Sequence, residues 1–141
     1  MSRLDADVLV IGCGPAGLQA AIHASRAKVS TVVVGGINGS AAYSTEVENY
    51  FGTPGVADGT ELLENGLRQA KAFGAEFIEG NVISASSVDG GFRVKVENGT
   101  EINAKAVVLA TGVSRVKLNV PGEKELFGKG VSYCAVCDCN F

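Results

Sequence analysis

The stretch DADVLVIGCGPAGLQAA, residues 5–21, sets a glycine-rich turn between an apolar run and an amphipathic segment. Residues 5–12 are nearly all apolar and are bounded by Asp5 and Gly12, the composition of a short strand buried on both faces of a parallel sheet. PAGLQAAIHASRA follows as a helix, with Pro15 in its first turn and Leu18, Ala21 and Ile22 on one face. STVVVGG (30–36) then supplies a second buried strand. The order strand, helix, strand spells a βαβ unit and hence a pair of parallel strands.

Within that unit, Gly12, Gly14 and Gly17 stand at G-x-G-x-x-G spacing, with Pro15 and Ala16 between the last two. Each glycine meets a separate demand. Gly12 makes the turn out of the strand, Gly14 lets backbone approach a pyrophosphate, and Gly17 lets helix and strand pack closely while the helix N-terminus faces the anion. A bland glycine-rich turn would share the spacing but not the setting between a buried strand and an amphipathic helix, so the motif is read as a dinucleotide fingerprint. Cys13 fills a position that any small side chain satisfies.

The fingerprint usually continues to an acid at the end of the second strand, which holds the ribose hydroxyls. Gly35 stands there, followed by Gly36. A missing charge-assisted hydrogen bond lowers affinity by roughly ten- to a hundredfold. No Lys or Arg occurs between Lys28 and Arg68 to replace the acid with a 2′-phosphate site, which leaves neutral groups such as Asn38 and Ser40 to meet the ribose.

Further along, DGTELLENGLRQAKAFG (58–74) predicts a helix capped by Asp58, with Leu63, Leu67 and Ala70 inward and Gly74 past its end. AEFIEG offers a short strand. Residues 82–103 predict a small antiparallel meander in which Phe92, Val94 and Val96 face inward and Asn98-Gly99 closes a two-residue hairpin. AKAVVLATG (104–112) is a further apolar strand, and the weakly periodic residues beyond it read as a connector. The expected class is α/β, with a Rossmann-like domain over 1–112 and a second segment over 113–141.

Composition narrows the function classes. At 141 residues the chain has room for one domain and one core. A net charge of −3 without a basic cluster gives no footprint for nucleic acid, and no apolar run is long enough to span a bilayer. A cytoplasmic protein is expected. In a reducing compartment the crowded Cys134, Cys137 and Cys139 point to redox or metal chemistry rather than to structural disulfides. On a helix starting near Cys134, Cys134 and Cys137 would share a face, the helix N-terminus would favour the thiolate, and Asp138 would stand beside them as proton donor or acceptor. Zinc is the rival, with Cys13 or His23 as the remaining ligand, and two small buried hydrophobes are the plain alternative.

GCGPAGLQAA, TEVENYFG (45–52), ATG (110–112), PGE (121–123) and GKGVSYCAVCD (128–138) together resemble, in order and spacing, the N-terminal part of low-molecular-weight thioredoxin reductases. The resemblance implies a Rossmann-like FAD-binding domain, with parallel sheet and β-meander, in an incomplete two-dinucleotide-binding-domain fold. It implies that Gly12, Gly14, Pro15, Ala16 and Gly17 cradle the FAD pyrophosphate, that Gly35 lies at the ribose, that Asn49 lies near the flavin and Val82 near the adenine, and that Thr111 and Gly112 close over FAD. Cys137 would face the flavin, Cys134 would exchange with a thioredoxin-like protein disulfide, and Asp138 would be their acid-base partner. NADPH would act through a domain absent from these residues, and a homodimer or a complementing chain would be the expected assembly. The sequence departs from the family pattern in three places: Gly35 stands for a ribose-binding Glu, INGSAAYS stands for a GGQ-type stretch, and Cys139 stands where a Gly is usual.

Overall fold

The computed structural model describes residues 3–114 and 116–135. The first apolar run forms β1 (Arg3–Ile11), which pairs in parallel with β2 (Thr31–Val34), and α1 (Pro15–Arg26) connects them. Two very short strands follow, β3 (Glu46–Val47) and β4 (Ala57–Asp58), then α2 (Gly59–Ala72) and β5 (Glu76–Ile78). The chain continues through β6 (Val82–Val88), β7 (Gly91–Val96), β8 (Glu101–Leu109) and the one-turn α3 (Glu123–Leu126). The main sheet runs β5-β2-β1-β8-β7-β6, with β5, β2, β1 and β8 parallel and β7 and β6 antiparallel. No described helix is long and apolar enough to cross a membrane.

Alternation along β1 and β2 builds two cores. Val10 and Val33 pack with Leu18, Ala21 and Ile22 of α1 and with Leu63 and Ala70 of α2. Leu9, Ile11, Val32 and Val34 point the other way and meet Val94, Val96 and Ile102. Burying each such side chain contributes about 1.5–3 kcal/mol. α1 and α2 approach closely at Gly66, where a Cβ would stand 3.1 Å from Leu18 Cδ1. Asp58 caps α2 as its position predicts, its Oδ1 accepting the Thr60 and Glu61 N–H groups at 2.7 and 3.1 Å. Such a cap is worth about 1 kcal/mol.

Three expectations need correction. The meander and the strand at 104–112 are not separate: β8 is one strand, with Ala104 paired to Phe92 on one side and to Ala6 on the other, so the meander extends the parallel sheet. The Asn98-Gly99 turn occupies the four residues from Glu97 to Thr100, since β7 ends at Val96, and Asn98 Oδ1 accepts the Thr100 N–H. Phe92 remains 37% exposed at the start of its strand, while Val94 and Val96 on its face are buried.

Candidate functional site

The parallel strands β1, β2 and β8 end together, and a cavity of about 720 Å³ opens beyond their carboxyl ends. Ligands of open α/β sheets bind there because the strand-to-helix turns present backbone donors at that edge. Gly12 leaves β1 with φ +115, and a Cβ on it would stand 2.1 Å from the Ala110 carbonyl oxygen beyond the end of β8. Only glycine fits this crossing. A Cβ on Gly17 would likewise lie 2.0 Å from the Gly12 carbonyl oxygen, so the third glycine lets α1 settle onto the turn. Gly14 is different: its backbone is extended, and a Cβ there would meet only Ser40, with Oγ at 3.3 Å.

Gly14 is the N-cap of α1 and supplies no side-chain cap, while Pro15 occupies the first turn without an N–H of its own. The first-turn amides of α1 therefore keep their donor capacity for a ligand at the helix end. No charged side chain lines the cavity among the described residues. An anion held there would be met by backbone N–H groups and the helix dipole.

Most of the expected cofactor-binding positions converge. Gly12, Gly14, Pro15, Ala16, Gly35, Val82, Thr111 and Gly112 all line the cavity, and Gly17 lies against Gly12. Asn49 is exposed on the loop after β3 and is not among the lining residues. Val82 starts β6, and the turn before it is held by Glu97, whose carboxylate accepts the Asn81 N–H at 2.9 Å and its side-chain amide at 3.1 and 3.2 Å. Sequence reasoning passed over Glu97 because its contact is made across 16 residues; the signal was an Asn preceding a strand start. Cys13 is buried and free, and its burial pushes the thiol pKa up against a smaller opposing pull from Lys71, which suits a packing residue rather than a nucleophile.

The thiol segment begins on a clasp. Tyr133 donates its hydroxyl to Glu123 Oε1 and accepts the Leu118 N–H at 2.9 Å, while Glu123 Oε2 accepts the Val120 N–H at 3.2 Å. Glu123 is buried, and the Tyr133 hydroxyl holds its carboxyl below the usual range. Cys134 is disulfide-bonded, and its N–H donates to Ser132 Oγ at 3.0 Å. Cys137, Asp138 and Cys139 lie outside the described residues, as does the helix expected there.

Residues 6–140 match the sequence profile of the family described as pyridine nucleotide-disulphide oxidoreductase. The chain belongs to this family. Among individual members of this pyridine nucleotide-disulphide oxidoreductase family, thioredoxin reductase from Bacillus subtilis is 46% identical over 138 residues, covering 96% of this chain and 43% of the relative. Thioredoxin reductase from Peptoclostridium litorale is 43% identical over 139 residues, again covering 96% of this chain and 43% of the relative. The solved thioredoxin reductase from Giardia duodenalis superposes with a TM-score of 0.81 at 36% identity, over 96% of this chain and 44% of that structure. The α/β fold with a mostly parallel sheet is thus that of the Rossmann-like FAD domain of its structural neighbours. The chain spans less than half the length of the relatives it matches.

Proposed function

We propose that this chain is the FAD-binding part, with the start of the thiol-exchange segment, of a cytoplasmic thioredoxin-disulfide reductase. The observation that carries the proposal is the cavity at the strand ends, where an uncapped helix end and two sterically obligatory glycines suit a pyrophosphate. Residues 1–112 form the FAD-binding unit, and 113–141 form a connector and the first residues of an NADPH-binding unit.

When bound, FAD would relay an electron pair from NADPH to a disulfide. The amides of Ala16 and Gly17 would hold the pyrophosphate, with Gly12, Gly14 and Pro15 leaving room for it. Val82 would pack at the adenine, Gly35 at the ribose and Asn49 near the flavin, and Thr111 and Gly112 would cover the cofactor. Cys137 would face the flavin. In exchange, the Cys134 thiolate attacks a thioredoxin-like disulfide, forming a mixed disulfide and releasing one substrate thiolate. Cys137 then attacks Cys134, the intra-chain disulfide re-forms, and the substrate leaves as a dithiol with its second proton delivered through Asp138. The electron pair that reduces the Cys134–Cys137 disulfide again comes from a nicotinamide site, which these residues do not supply, since they hold a single dinucleotide fingerprint. A further portion of the protein, a homodimer partner or a complementing chain provides it.

The chain mixed with FAD is expected to acquire the flavin visible spectrum in stoichiometric amount, and alone to show no NADPH-dependent reduction of a thioredoxin disulfide. Protein that stays colourless overturns the flavin assignment. Turnover by the 141 residues alone overturns the placement of the nicotinamide site elsewhere. A second reading, an adenine-nucleotide module without turnover, draws support from the span of 43% of the relatives' length, and ADP binding without FAD binding would favour it.

A further inference from the structure

The fold explains why the second strand ends without an acid. Gly35 has φ +143, and a Cβ on it would stand 3.1 Å from the Cys13 backbone nitrogen and 3.4 Å from the Cys13 Cβ. Any L side chain there is strained and presses on the fingerprint turn. The adjacent strand offers another source. Val34 of β2 pairs with Ile78 of β5, and the Gly35 N–H donates to the Ile78 carbonyl at 3.0 Å, so Glu79 emerges beside Gly35 and Gly36. A Cβ on Gly36 would lie 3.9 Å from Glu79 Oε1 and 2.5 Å from Asn38 Oδ1. The two polar groups flank the space that a β2 side chain would otherwise occupy. Gly35, Gly36 and Gly80 line the cavity, and Glu79, next to Gly80 in the chain, stands at its margin outside the lining residues. Glu79 is exposed and joins no salt bridge among the described residues, where the pairs are Lys95 with Glu101 and Lys105 with Asp7.

We propose that Glu79, in the turn just after β5, supplies the carboxylate that accepts the ribose hydroxyls of the adenosine half, in place of an acid at the end of β2. The inference rests on the dinucleotide reading above and adds the residue that selects the ligand. A carboxylate accepts from a free 2′,3′-diol and repels a 2′-phosphate, so the site takes FAD or ADP in preference to a 2′-phosphorylated nucleotide. Sequence spacing conceals the substitution, because Glu79 lies 44 positions after Gly35 and joins it only through the β2–β5 pairing.

The test measures FAD binding by flavin fluorescence for the wild-type chain and Glu79→Gln, then displacement of FAD by ADP and by 2′,3′-dideoxy-ADP. Wild type is expected to prefer ADP to the dideoxy nucleotide by about ten- to a hundredfold, the loss expected for one charge-assisted hydrogen-bonding group. Glu79→Gln should weaken FAD by a similar factor and collapse that preference, with an unchanged thermal midpoint because Glu79 is exposed. FAD binding by Glu79→Gln at wild-type strength, or a retained preference for ADP, overturns the inference alone. Equal binding of ADP and its dideoxy analogue by wild type overturns it without any variant. Absence of both FAD and ADP binding in wild type overturns the nucleotide reading, and this inference with it.

Discussion

Gly12, Gly14 and Gly17 share a motif but are glycine for different reasons, and substitution separates them. A methyl at Gly12 would point at backbone 2.1 Å away from a left-handed φ, and one at Gly17 at backbone 2.0 Å away. Backbone obstacles cannot rotate aside, so Gly12→Ala and Gly17→Ala should each destabilise the fold by about 2–4 kcal/mol, from overpacking and strain together. Gly14→Ala meets only a side-chain hydroxyl at 3.3 Å, and its extended backbone suits any residue. It should leave the urea midpoint nearly unchanged while weakening FAD, because its methyl occupies the approach to the first turn of α1. A Gly14→Ala protein as destabilised as Gly12→Ala would contradict this division. These roles were legible in the sequence because each depends on sterics within a few residues. The cause of Gly35 was not legible, because it lies in a contact with Cys13 across the sheet edge.

Among the elements, the clasp on Tyr133 is the one whose strength follows pH. The Tyr133 hydroxyl holds Glu123 below 4.5, and Glu123 in turn raises Tyr133 above 10.0. A carboxyl depressed in the folded state contributes stability above its unfolded value and loses it as pH falls through the folded one; a raised phenol contributes below its unfolded value and loses it as pH rises through the folded one. The clasp should therefore be at full strength between about pH 5 and pH 10, and release the connector only as pH falls through the depressed Glu123 value or rises through the raised Tyr133 value. Tyr133→Phe should abolish both flanks, and Glu123→Gln should abolish the acid flank and lower the pH at which Tyr133 ionises in an ultraviolet tyrosinate titration. A Tyr133 that ionises with free tyrosine would contradict the geometry. PGE and SYC were visible as sequence motifs, but their joining was not, since Tyr133 lies ten positions after Glu123 across a stretch without clear periodicity. The β3–β4 ladder escaped notice for a related reason. Its strands are two residues each, too short to alternate, and the loop before β3 is seated on Gly59, whose N–H donates to the Thr45 carbonyl at 2.9 Å.

At the scale of the molecule, the sheet and its connector differ in how much they bury. The βαβ unit and α2 were readable because apolar periodicity reports local burial, whereas the double pairing of β8 was hidden because one strand served two neighbours. That double pairing ties the meander to the parallel strands, so β1, β2, β7 and β8 should open only with the whole domain. Beyond β8 the situation reverses. Of the described residues after Leu109, Glu123 alone is buried, and Val113, Val116 and Leu118 are 77%, 90% and 72% exposed. Apolar burial is what raises local stability, so amides from Val116 to Ala135 should exchange with solvent through local opening, far ahead of those in β1 and β8. Hydrogen exchange followed by mass spectrometry should show two classes, with the boundary near Gly112. The clasp should add modest protection at Leu118 and Val120, removed by Tyr133→Phe without effect on β1. Connector amides as slow as those of β1 would mean that the segment carrying Cys134 belongs to the same cooperative unit as the sheet, and would overturn the division of the chain at residue 112.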